Sequence, residues 1–230
     1  MNGVLVKSEK LNMENVPVFT GEVPSRLKKL QKTERGYPVP WFVAWMDGKP
    51  DFRAMDGEKF VQAVRYKLCW ICGEPMGKFK AFVIGPMCAV NRTSSEPPSH
   101  RDCAVFAAMA CPFLANPDRC RRETNLPEHK DPAGLALSRN PGVALVWITK
   151  EYQIYPVNAN GDIKAGWLFE IGDPEETLWF ARGREATREE VMKSFETGIP
   201  ALQKVATEES PEAEAKLQEQ YDRAMTLVPA

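Results

Sequence analysis

Two short stretches constrain this chain more than anything else in it. Cys69-Trp-Ile-Cys72 sets two thiols three positions apart, and His100-Arg-Asp-Cys103 sets an imidazole and a third thiol at the same spacing. A CxxC pair alone serves either redox chemistry or metal binding. The redox version joins a strand to the start of a helix, whereas here Gly73, Pro75 and Gly77 follow and forbid a helix. Glycine directly after the second thiol suits a knuckle whose backbone N–H groups turn in toward the sulfurs. Ser99 and Asp102 have capping-box spacing, which predicts a helix with His100 and Cys103 on one face of its first turn. The positive end of that helix favours ionised thiols. Four S and N donors match a closed tetrahedral site, so Zn2+ is expected on Cys69, Cys72, His100 and Cys103.

A knuckle and the first turn of a helix, joined by a hairpin, resemble a treble clef. The resemblance covers about residues 69–111 and implies an architecture, not one activity. The stretch Trp179–Thr187 adds a texture similar to bacterial and phage proteins of no assigned activity. An iron–sulfur cluster needs four thiolates, which six cysteines permit, but it leaves the helix-start histidine without a role. Cys88, at the end of an apolar strand, and Cys111, two turns past Cys103, read as small core residues. Cys120 lies between Arg119 and Arg121 in a loop. Replacement of an assigned ligand by one of these three stays open.

Composition excludes other classes. The 230 residues are 43% hydrophobic, which is ordinary globular content and unlike a disordered chain. With 30 Lys+Arg against 31 Asp+Glu, the net charge of −1 excludes a strongly basic nucleic-acid coat. That near-neutral total hides an acidic stretch from Glu170 onward and a basic remainder. No signal peptide is read at the start, and no apolar run approaches the roughly 20 residues of a membrane span. A cytoplasmic setting without membrane contact is therefore expected, where clustered cysteines bind metal more often than they pair.

The pattern predicts an α+β fold with a small mixed or antiparallel sheet, the embedded clef and C-terminal helices. Residues 1–36 read as a polar lead-in with a short helix at 25–32. A single body is expected over 37–200, containing the clef and a long loop at 115–141. An acidic C-terminal helix takes 201–230. Within the body, a hairpin turns at Asp47-Gly48 and Asp56 caps a helix running to about Lys67. Strands follow at 79–84, 143–149, 153–157, 167–171 and 177–181. Thr187 and Glu190 form a capping box whose helix is expected to stop near Gly198–Pro200. Ser210-Pro211 opens the last helix, striped by Ala213, Leu217, Tyr221, Ala224 and Val228. Trp41 and Trp45, four apart in one strand, are expected to share a core face.

A closed Cys3His site has no open position for substrate, so it folds the chain rather than catalyses. The Pro-Cys-x-x-Cys half of a zinc deaminase is absent from the sequence. An HNH-like nuclease, acting on nucleic acid or nucleotides, shares the clef but needs a further catalytic histidine. Only His129 is left over, in the long loop. The expected ligand-binding residues are Trp70, Asn91, Arg92 and Glu96. Trp70, between the knuckle cysteines, is expected to point outward and stack or pack. The loop from 91 to 96 sits between a strand and a pinned helix, where Arg92 can contact an anion and Glu96 can accept from a base or amine. Against this stands a loop whose side chains bond its own backbone. Three functions follow: recognition of a nucleic acid, nucleotide or protein through this loop; the nuclease; and an adaptor docking through its acidic C-terminal helix.

Overall fold

Ala144-Leu-Val-Trp-Ile-Thr149 is apolar on both alternating faces, so a strand built from it must be covered on both sides. The computed structural model of the chain describes residues 16–116, 140–157 and 166–230, and shows this arrangement. In chain order the elements are β1 (Val43–Met46), β2 (Lys49–Met55), α1 (Gly57–Tyr66), β3 (Lys80–Ile84), α2 (Pro86–Asn91), β4 (Thr93–Ser94) and α3 (Arg101–Ala110). There follow β5 (Ala144–Thr149), β6 (Tyr152–Val157), β7 (Gly166–Ile171), β8 (Pro174–Ala181), β9 (Arg184–Glu185), α4 (Arg188–Glu209) and α5 (Pro211–Met225). The described strands pair antiparallel throughout, as a β1–β2 hairpin, a sheet of order β3-β5-β8-β9 and a sheet of order β4-β7-β6. The chain is thus mixed α+β with antiparallel sheets.

Register decides which side chains meet. Phe82 pairs with Trp147, and Leu145 with Trp179, so one face of the larger sheet carries bulky rings and branched chains. It packs against Phe169 and Ile171 of β7, against Ala89 and Val90 of α2, and against Val191 and Phe195 of α4. The opposite face carries Ala81, Ala144, Val146, Ile148 and Phe180, covered by Ala104 and Ala108 of α3. Small residues on both sides let α3 lie close to the sheet.

Several local signals act as expected. Asp56 accepts from the backbone N–H groups of Glu58 and Lys59 at 3.0 and 3.2 Å, capping α1. Thr187 and Glu190 form a complete capping box at the start of α4. Ser210 caps α5 through the Ala213 N–H at 3.1 Å.

Other readings change. Helix α4 does not stop at Gly198–Pro200 but runs through Pro200 to Glu209, so a boundary at 200/201 falls inside it. Val191, Phe195, Ile199, Leu202 and Ala206 continue one apolar stripe across the proline. Leu202 joins the main core and Ala206 is buried, while Pro200 itself lies exposed. Packing outweighs the hydrogen bond that proline cannot make. The strand after Trp41 begins only at Val43 and carries a bulge there, so strict alternation does not reach back to Trp41. Trp45 is 42% exposed rather than in the core. Cys88 lies on α2, not at a strand end. In the polar stretch at 16–36, the short helix expected over 25–32 is a 3-10 turn at Ser25–Leu27, and it buries Leu27 beside Cys69, Cys72 and Cys103. Most of the long loop at 115–141, with Cys120, the arginines around it and His129, lies outside the described residues, as does Asn160-Gly161. At its borders, the Asn140 amide donates to the carbonyl oxygens of Phe113 and, at 3.0 Å, Asn116.

Candidate metal centre

The knuckle closes as a minimal hairpin. Leu68 and Pro75 form an antiparallel bridge, Cys69 N–H donates to Glu74 O at 2.7 Å, and Met76 N–H donates to Lys67 O at 3.0 Å. Lys67 and Gly73 both take positive φ, 53° and 75°, which is what turns the chain through this space. Gly73 is needed twice: for that backbone, and because a Cβ there would sit 2.8 Å from the Trp41 ring. On the other side, Ala81 of β3 and Ser99 exchange both backbone hydrogen bonds at 2.8 Å. The start of α3 is thereby fixed to the sheet, facing the knuckle.

These two mounts bring Cys69, Cys72, His100 and Cys103 together, with one ligand atom from each lying within 4.8 Å of all the others. The three thiols are buried. His100 is the N-cap of α3 and not a first-turn residue, because the helix starts one residue later than the capping-box reading places it. Cys103 then occupies the first turn. No side-chain cap bond forms, so Ser99 does not act as the cap.

The donor atoms point the right way. His100 Nε2 lies 3.1 Å from the Pro75 carbonyl oxygen, which can only accept, so Nε2 carries the proton. Nδ1 faces the cluster, 3.4 Å from Cys72 Sγ, and in the neutral ring it carries the lone pair. A carbonyl holding the distal ring N–H is the usual support behind a metal-ligating histidine. Cys69 Sγ accepts from the backbone N–H groups of Cys72 at 3.4 Å and His100 at 3.3 Å. Burial alone would push the Cys69 thiol up. Hydrogen bonds from Cys103, Cys72 and these backbone groups outweigh it and hold the thiol well below its ordinary value. Cys103 moves the other way, raised chiefly by its hydrogen bond to Cys69. Three thiols sharing one buried space cannot all ionise unless a cation joins them.

An apolar shell of Leu27, Ile71, Val23, Leu30, Met76 and Phe106 surrounds the sulfurs. Outside it, Glu74 accepts from Arg26 at 2.7 Å and Lys29 at 2.5 Å, and Arg26 also lies 3.8 Å from Asp102 of α3. These pairs tie three segments across the cluster at the surface. Cys88 and Cys111 stand apart from it, on α2 and at the end of α3, with thiols that burial pushes up.

The expected ligand-binding residues do not share one face. Trp70 is turned inward, only 2% exposed, contrary to the expectation for a residue between knuckle cysteines. Its ring stacks on Phe42 at 4.7 Å and meets Phe60 edge-on at 5.7 Å. The segment expected as a loop at 91–96 starts on the last residue of the short helix α2 and includes strand β4. Asn91 Oδ1 accepts from Thr93 N–H at 3.1 Å, and Ser94 Oγ bonds both the N–H and the C=O of Glu96 at 3.1 and 3.0 Å. Asn91 and Ser94 thus serve the backbone. Arg92 is different: in the left-handed region at φ 55°, it reaches across to Asp173, at 2.6 Å, and lies over the Trp147 ring. Its destination depends on β5 and on the turn after β7, more than 50 residues away, so no local signal in the sequence marks it.

No protein-family model, curated protein or solved structure matches this chain. Among the described residues, no helix is long and apolar enough to cross a membrane.

Proposed function

We propose that this chain is a cytoplasmic zinc-stabilised binding protein, with a structural Zn2+ held by Cys69, Cys72, His100 and Cys103 in a treble-clef arrangement. The observation that carries the reading is the paired demand at His100: Nε2 is engaged by Pro75 O while Nδ1 faces three buried thiols. Tetrahedral zinc with sulfur at about 2.3 Å places its ligand sulfurs about 3.8 Å apart, which the cluster's 4.8 Å limit accommodates. The clef reading is supported by the knuckle, the Ala81–Ser99 bridge and the first turn of α3, which follow one another as in that architecture. The hairpin part is expanded here by α2 and β4.

A filled four-ligand site offers no position to a substrate, so its work is to fasten residues 16–36 and the knuckle to α3. Recognition then belongs to another surface, and Arg92 is the expected ligand-binding residue that lines a cleft. Replacing the metal by Co2+ tests the site. Three thiolates and one nitrogen should give intense tetrahedral d–d bands with thiolate charge transfer; a weak octahedral spectrum would count against it.

A further inference from the structure

A shallow, open cleft of about 650 Å³ lies where β6, β7 and the end of α1 meet. Four cationic side chains line it, Lys67, Lys80, Arg92 and Lys150, drawn from four separate parts of the chain. Arg92 is the innermost of the two groups in its ion pair: its side chain is 19% exposed, against 93% for Asp173. The pair is also incomplete. Asp173 takes a hydrogen bond from Nη2 alone, while the neighbouring Nε is buried and has no hydrogen-bond partner. The Nε–Nη2 edge is the fork that normally holds an oxyanion with two parallel bonds. The Trp147 ring, 5.4 Å from the guanidinium carbon, holds the group from behind. Tyr152 lines the same cleft, and its phenol, kept protonated by desolvation, is a donor.

We propose that this cleft binds the phosphate group of a small phosphorylated molecule, with the Asp173 carboxylate as an internal stand-in that the ligand displaces. The inference rests on reading the chain as a binding protein. A tetrahedral oxyanion in place of the carboxylate would take the Nη2 hydrogen and, where its binding uncovers the buried Nε, the second hydrogen of the Arg92 edge as well. Three carboxylates also line the cleft, Glu151, Glu170 and Asp173, and they limit its affinity for anions. Removing the one that competes directly therefore strengthens binding.

The test uses the full-length, zinc-loaded chain, with AMP, inorganic phosphate and a short single-stranded DNA as separate probes in calorimetric titrations. AMP and phosphate are expected to bind. Asp173→Asn should tighten both several-fold. Arg92→Gly, which removes the guanidinium yet suits the left-handed backbone, should weaken both at least tenfold. Unchanged affinities in Asp173→Asn, or no binding of AMP and phosphate to either the native chain or that variant, would overturn the proposal. Binding of DNA alone would overturn it in favour of a nucleic-acid backbone. Zinc content measured on the same samples separates the two readings, because phosphate binding can fail with zinc present and zinc can be absent with phosphate bound.

Discussion

The two faces of the four-stranded sheet are closed by different physics. On one, Phe82, Leu145, Trp147 and Trp179 meet Phe169 and Phe195, and removal of large apolar surface from water suffices. On the other, small residues seat α3 against the sheet, and behind α3 the described residues form a smaller apolar group around Leu27, Ile71 and three cysteines. The segments packed there are a 3-10 turn and a tight knuckle, neither able to bury much area. On the proposed reading, a metal at the cluster would supply, at one point, the stabilisation that the opposite face draws from many side chains. Metal sites and large cores are thus alternative answers to the same shortage of burial.

That contrast can be broken most severely at Cys103. Cys103→Ser should release the metal and destabilise its half of the molecule by more than about 5 kcal/mol, a fraction of the binding free energy of small zinc domains. Hydrogen exchange should then show amides at 16–36 and 67–78 losing protection while those of β5 keep theirs. Phe195→Ala attacks the other face and should cost about 3–5 kcal/mol by thermal or denaturant unfolding. Zinc stoichiometry should stay unchanged, and a loss of metal here would mean the two faces do not act separately. Gly73→Ala sets a side chain against the Trp41 ring on a left-handed backbone, and a loss of about 1–3 kcal/mol is expected with the metal retained. The smallest effect belongs to Glu176, which accepts from Arg101 of α3 at 2.7 and 2.5 Å.

That hydrogen bond holds the Glu176 carboxyl below the ordinary glutamate range. A depressed folded value adds stability above the ordinary range and loses it as pH falls through the folded value. Both partners are well exposed, so Glu176→Gln should cost under about 1 kcal/mol at neutral pH. Unfolding curves of variant and native chain should converge in acid.

Local chemistry made much of this legible. The caps at Asp56, Thr187 and Ser210, the continuous apolar run of β5 and the two thiol-bearing stretches are short-range signals that tertiary packing did not override. The exceptions share a cause. Pro200 stays helical because a stripe extending to Ala206 is held by the core, and a stop signal read in isolation misses the residues beyond it. Trp70 turns inward because Phe42, just before β1, and Phe60 of α1 form its slot. His100 sits one position outside its expected turn, with Ser99 before it paired to Ala81 of β3 and its own backbone extended. Arg92 stood out for its chemistry, but its partners Asp173 and Trp147 follow from sheet register, which no local pattern encodes.

The central claim is the structural metal, and elemental analysis of the purified native chain beside Cys72→Ser tests it most directly. One zinc per chain in the native protein, lost in the variant, is the expected result. Native protein without stoichiometric metal, or a variant that keeps its zinc, would contradict it.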